Sequence, residues 1–229
     1  MTATASVLTQ TRVIFGKDLS LLWRGRARVV AQVSFGAVAL LLFSFAVGPN
    51  TELLARHAPG YLWLALLLCS VLSLGESFRL ELEDQALEGL QLLPVDPRAL
   101  FYGKALANLV QLVLLSVVLV PLALVLYATE VAHSVPLLAA TVVLGAAGLA
   151  APGTLYSAMT SRARGKDVLL PLLLFPLVVP VLLAAVKATA LALQGDPMGQ
   201  ANSWLSILIC FDLVYWSLCG VLFGRVIDD

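Results

Sequence analysis

Five of the chain's 14 acidic residues, Glu76, Glu81, Glu83, Asp84 and Glu88, crowd into one stretch that ends at Pro94. Read as a helix, Asp84, Glu88 and Gln91 share one face, and Leu87, Leu90 and Leu93 share a neighbouring one. Pro94 and Pro97 are expected to stop that helix. Charge turned outward with leucines offered to a groove is the chemistry of docking onto a partner; the alternative is a solvated acidic loop that joins two other elements. Material for bond-making chemistry is scarce. Gly16-Lys17-Asp18 and Gly165-Lys166-Asp167 lack both the leading glycine and the trailing Ser or Thr of a phosphate-cradling loop, so the chain is not expected to hold ATP itself. Cys69, Cys210 and Cys219 are an odd number set in apolar runs; they read as small buried side chains, with no disulfide framework and no metal site. Asp212 is the one acid deep in an apolar run, and it has no reactive partner at helical spacing, which leaves an intramembrane enzyme without machinery.

The elements that carry these residues follow from composition. Of 229 residues, 60% are apolar and 12% charged, against about 45–50% and about 25% in a soluble domain. So few charges cannot cover so much apolar surface in water, which excludes a soluble enzyme and a disordered segment. The net charge is zero, which argues against a nucleic acid as partner. Lipid is therefore the solvent for most of the chain, and runs of roughly 20 apolar residues are read as spanning helices. Six are expected, at about 29–47, 59–74, 104–127, 135–159, 168–187 and 203–223, the second being the shortest. Continuous apolar stretches such as 109–126 argue against the alternating strands of a membrane β-barrel.

Orientation follows from the basic residues. Twelve of the 14 Lys and Arg fall on one side of the six runs; only Arg56 and Lys187 fall on the other. Both termini are expected in the cytoplasm. The first 28 residues hold no apolar core of signal-peptide type. Leu8, Phe15, Leu19 and Leu22 share a helical face away from Arg12 and Lys17, so residues 1–28 are expected to form an amphipathic helix in the cytoplasmic interface. Residues 29–229 then make one six-span domain, with a cytoplasmic segment at 76–98 between spans two and three. Trp23, Trp63 and Trp204 sit near the expected boundaries as aromatic anchors do, while Trp216 lies deeper.

Four features within this frame invite a role. Pro171, Pro176 and Pro180 each remove a backbone donor from span five, which predicts a bent or locally broken helix, either a hinge or a static kink. Gly145, Gly148 and Gly153 allow close helix packing in span four, against another copy or within the same one. Arg162, Arg164 and Lys166 lie on the cytoplasmic side, as a second contact for a partner or as a topology signal. Asp212 near the middle of span six would cost about 2.5–3.5 kcal/mol as a carboxylate on insertion scales. It is expected to face the interior, to be protonated or to pair.

Several of these segments together resemble a known family. Glu83, Leu87, Leu90 and Pro94, with Glu88 beside Leu87, look like the anchor set of the acidic segment after span two in ABC exporter membrane subunits. The stretch Leu87-Glu88-Gly89-Leu90-Gln91-Leu92-Leu93-Pro94 resembles "LEQLxLLP" of the haem exporter protein B family, the CcmB family. Leu53-Leu54-Ala55-Arg56-His57-Ala58-Pro59-Gly60 followed by Trp63, Ala150-Ala151-Pro152-Gly153, and the proline-rich fifth span match three further segments in the same order. Gln85 replaces the usual glycine of the acidic segment, which should make that helix more continuous, and Ala150 replaces the first glycine of "GAPG".

The resemblance implies an all-α membrane permease of ABC exporter type in a bacterial inner membrane. Its ATP would be held by a separate ATP-binding subunit, docked through Glu76, Glu81, Glu83, Asp84, Leu87, Glu88, Leu90 and Pro94. It implies a second copy of the chain, since six spans are half of what such exporters assemble, and other cytochrome c maturation membrane subunits as partners. Haem would be cargo of the complex, not a cofactor bound by this chain. His57 and His133, both on the outer side, are the only histidines available as axial ligands, and no Cys-x-x-Cys-His motif is present. The chain is expected to transmit force either for haem export or for release of a haem-loaded chaperone. A generic lipid, polysaccharide or drug exporter permease is the alternative.

Overall fold

A computed structural model describes residues 6–83, 96–131, 134–161 and 166–228, with side chains described for 6–77, 96–131, 134–161 and 168–226. Within them the chain forms seven helices and no strand. The interfacial helix α1 spans Val7–Arg24. Six longer helices follow: α2 (Arg26–Val47), α3 (Thr51–Glu83), α4 (Pro97–Leu126), α5 (Val135–Ser161), α6 (Lys166–Gln194) and α7 (Ala201–Asp228). All six are long and apolar enough to cross a membrane.

The helix ends have local causes. Ser6 caps α1, its hydroxyl accepting from the Thr9 N–H. Gly25 is at once the last cap of α1 and the first of α2. Gly48 ends α2 with φ of 78°, a left-handed conformation that other residues adopt at a cost. Asp196 starts α7, its two carboxylate oxygens accepting from the N–H groups of Gln200 and Ala201 at 2.8 Å each.

The boundaries that differ most from the sequence reading are both ends of span two, the start of span three and the end of span five, which is Gln194 rather than 187. Span two begins at Thr51 rather than 59, because the Asn50 side chain accepts from the Leu53 N–H and Pro59 is carried inside the helix. The helix expected to be shortest is the longest, 33 residues. Pro97 begins α4, with Asp96 as its cap accepting from the Arg98 N–H at 2.8 Å; the helix it was expected to stop lies outside the described residues. Lys104, expected at the start of span three, therefore sits two turns inside α4. Pro171, Pro176 and Pro180 lie within α6, which runs on through all three without a break. Proline inside a spanning helix is tolerated where neighbours satisfy the freed carbonyls.

Burial sets the order of the bundle. In α3 and α5 61% of the apolar stretch is buried, against 22% in α2 and α7, so the first pair is central and the second peripheral. The glycines of α5 are notches for helices of the same chain. Trp63 of α3 fills the notch at Gly145, Leu74 of α3 the notch at Gly153, and Val181 of α6 the one at Gly148. Trp63 is therefore no boundary anchor: it is 1% exposed, and its Nε1–H donates to Thr189 Oγ1 of α6 at 2.9 Å. Ser157 Oγ donates to the Leu74 carbonyl at 2.5 Å. Trp23 keeps its expected place, 74% exposed near the end of α1.

These contacts fix which helix ends lie together. Late α3 meets late α5 at Leu74 and Ser157, and Tyr102 of early α4 meets Gly220 of late α7. At the other end the Tyr127 hydroxyl donates to the Leu40 carbonyl at 2.9 Å. The first end, which holds α1 and the last turns of α7, is the basic end of the bundle.

Candidate functional site

The basic end gathers polar residues from four helices, and each set follows a helical repeat. On α4, Lys104, Asn108 and Gln111 stand at i, i+4 and i+7, one face of the helix. On α3, Ser73 and Ser77 stand at i and i+4, with Glu76 beside them. Arg28 and Gln32 do the same on α2. α1 adds Asp18. α1 reaches this place because Ile14 seats in a notch at Gly103, where an added Cβ would lie 2.7 Å from Ile14 Cγ2. Phe15 and Leu22, expected on the membrane side of α1, are half-buried, whereas Leu8 and Trp23 stay exposed.

Lys104 is the centre of the group. It is 1% exposed, and its Nζ lies 3.3 Å from Asp18 Oδ2 and donates to the Ser77 carbonyl at 3.2 Å. The pair is shielded, since the Asp18 side chain is 12% exposed. An ion pair in such surroundings is weakly screened, and removing Asp18 takes the carboxylate from a buried cation. Arg28 Nε lies 3.8 Å from Glu76 Oε2, and both side chains are about one-third exposed; contacts of that kind contribute about 0–1 kcal/mol. Lys17 Nζ, on a 42% exposed side chain, also lies 3.4 Å from Asp18 Oδ1, so three cations face two carboxylates.

Above them the polar track continues inward. Asn108 Nδ2 donates to Thr154 Oγ1, which donates to the Ala150 carbonyl, at 2.9 and 2.6 Å. Gln111 Nε2 donates to Gln32 Oε1 at 2.9 Å. Asp18, Arg28, Ser73, Glu76, Lys104 and Gln111 are among the residues around a cavity of about 50 Å³. A space of that size holds a few waters, and Ser73, whose hydroxyl has no hydrogen-bond partner among the described residues, is one of the residues around it.

The sequence-predicted docking residues divide at this end. Glu76 lies at the basic end of the bundle, its Oε2 3.8 Å from Arg28 Nε. Glu81 and Glu83 belong to the last turns of α3, beyond the described side chains. Asp84, Leu87, Glu88, Leu90 and Pro94 lie outside the described residues, as do Arg162 and Arg164; Lys166 opens α6, its side chain not among those described. The segment 84–95 is bounded on one side by α3 and on the other by Asp96, whose N–H donates to Gln10 Oε1 of α1 at 2.9 Å. Sequence reasoning missed Asp18 and Lys104, taking Lys104 only as a topology charge. The repeat of polar residues at 104, 108 and 111 was the signal available.

Asp212 faces the interior, as expected. An added Cβ at Gly148 would lie 3.2 Å from its Oδ1. Neither carboxylate oxygen has a hydrogen-bond partner among the described residues. An unsatisfied buried polar group costs about 1–3 kcal/mol, so Asp212→Leu is expected to raise the melting temperature of the purified chain in detergent. A lower melting temperature would mean that the carboxyl stabilises the bundle. His57 is exposed beside Tyr61, ring centroids 5.9 Å apart, on the aromatic group formed with Phe43 and Tyr127. His133 lies outside the described residues. Among the described residues no three His, Cys, Asp or Glu side chains converge as metal ligands.

Comparison with known proteins gives the family context. The profile described as CcmB protein matches residues 9–225. A "Heme exporter protein B" of Pseudomonas aeruginosa is 32% identical over 201 residues, covering 88% of this chain and 90% of the relative. Proteins of the same name from Rhodobacter capsulatus and Haemophilus influenzae are each 34% identical, over 184 and 190 residues. They cover 80% and 81% of this chain and 84% of each relative.

Proposed function

The chain belongs to the CcmB protein family, and we propose that it is the membrane subunit of an ABC-type complex for cytochrome c maturation, moved by ATP hydrolysis in a separate chain. The observation that carries this reading is the match to heme exporter B proteins over nearly the whole length. The work done is haem export or release of a haem-loaded chaperone. Twelve basic residues on one side against two on the other support cytoplasmic termini in a bacterial inner membrane.

The ATPase docks on the acidic segment that continues α3, with Arg162, Arg164 and Lys166 as a second contact. A helix of 33 residues is about 50 Å long, well beyond the roughly 30 Å hydrocarbon core. That excess supports an α3 that carries the segment clear of the bilayer. The prolines of α6 leave carbonyls without their usual amide donors, and the hinge of the stroke is assigned there. The chain's own role is mechanical, with haem handled by other maturation subunits. The thinly covered faces of α2 and α7 are where a second copy or such a subunit would pack.

Deleting the gene is expected to abolish haem-stained c-type cytochromes, and the restored gene to bring them back. Unchanged staining in the deletion strain would sink the assignment.

A further inference from the structure

We propose that Lys104 and Asp18 are positioning residues for energy coupling: their buried ion pair is the strut through which movement of the segment after α3 reaches α4 and α1. The inference rests on the function proposed above and adds the residues that carry the stroke.

The geometry supports it from three directions. First, the segment 84–95 has two anchors in the bundle, the end of α3 and Asp96, and Lys104 bears on both. It donates to the Ser77 carbonyl of α3 at 3.2 Å from two turns beyond Asp96 in α4. Second, α1 is fastened along the same line. Gln10 holds the Asp96 N–H, Ile14 fills the notch at Gly103, and Asp18 meets Lys104 at 3.3 Å. The contacts at 10, 14 and 18 are one turn apart on one face of α1. Third, the pair is shielded, with Lys104 1% exposed; Lys17, 42% exposed, meets the other Asp18 oxygen at 3.4 Å from the rim and belongs to α1 itself. Apolar side chains slide over one another at little cost, whereas separating opposite charges in a weakly screened interior meets a steep restoring force. A push on α3 is therefore passed to α4 and α1 instead of being lost as slippage between helices. The Arg28–Glu76 contact, more exposed and longer, ties α2 to the same end more loosely.

A merely structural pair and a coupling strut differ in one readout. In the whole complex in its own membrane, Lys104→Met and Asp18→Asn are expected to lower c-type cytochromes at least tenfold. The amount of chain in the membrane, the co-purified ATPase subunit and its ATP turnover should stay within about threefold of the parent. The exchanged pair, Asp18→Lys with Lys104→Asp, is expected to restore cytochromes to within about threefold. Normal cytochromes in Lys104→Met overturn the proposal. So does loss of ATP turnover in step with loss of chain, unless the exchanged pair restores both. If the single variants do not accumulate, the exchanged pair decides alone. Its accumulation with active maturation supports the strut, and either inactivity or failure to accumulate overturns it. A strain in which gene deletion itself leaves cytochromes intact marks failure of the functional reading, not of the strut.

Discussion

Valine at Gly145 is expected to prevent the chain from accumulating as a folded bundle. An added Cβ there would overlap the Trp63 ring, with Cζ3 at 2.7 Å and Cη2 nearer still. The indole cannot step aside freely: it is 1% exposed, and moving it would break its hydrogen bond to Thr189. Overpacking of a tight site costs about 1–3 kcal/mol and sometimes more, and the lost hydrogen bond adds about 0.5–1.5 kcal/mol. The contact also joins α3, α5 and α6 at one point, so its loss is not local. Gly60→Ala is the matched control. An added Cβ at Gly60 meets nothing within 4 Å, and alanine is favoured over glycine inside a helix by roughly 1 kcal/mol. The measurements are chain level in membranes by immunoblot and the melting temperature in detergent. A Gly145→Val protein that accumulates and melts like the parent would show that Trp63 has a second seat.

Reversing the charges of Glu83, Asp84 and Glu88 together is expected to abolish co-purification of the ATPase while leaving the chain in the membrane. Like charges placed across an interface oppose association and slow encounter. A tenfold loss corresponds to about 1.4 kcal/mol, and three reversals should exceed it. Insertion should survive, because α3 already has an apolar span in Thr51–Ser77. Cytochromes c should fall with the ATPase. Retained co-purification with normal cytochromes would move the docking site elsewhere, and Arg162–Lys166 would become the first place to look.

How much was legible follows from what apolar sequence encodes. Six runs and their order were readable because bilayer thickness fixes a minimum length. The faces were not, because a span surrounded by lipid and protein is apolar on nearly every side. Trp63 and Trp204 looked alike in sequence; only the notch at Gly145 makes Trp63 a core residue. The question of what Gly145, Gly148 and Gly153 face required the helices themselves, and the answer is Trp63, Val181 and Leu74 of the same chain. Proline can end one helix and begin another, and at Pro97 the start of α4 depends on Asp96 as cap, which pattern alone does not single out. At the candidate site the acids of segment 76–88 drew attention by density. Asp18 and Lys104 stand eighty-six positions apart in sequence and become a pair only when α1 folds back along α4.

The bond between Trp63 and Thr189 also sets a clock for biogenesis. Its two ends are 126 residues apart, which at ribosomal rates of about 5–20 residues per second means roughly 6–25 s of synthesis. Throughout that interval the indole N–H of a newly inserted third helix has no native acceptor, and its glycine notch has been made for only part of the time. The nascent chain must shelter that polar edge in the insertion machinery, in a transient neighbour or at the headgroup level until the sixth helix arrives. Slowing translation after residue 63 should lengthen the exposure, and with it the opportunity for quality-control proteases.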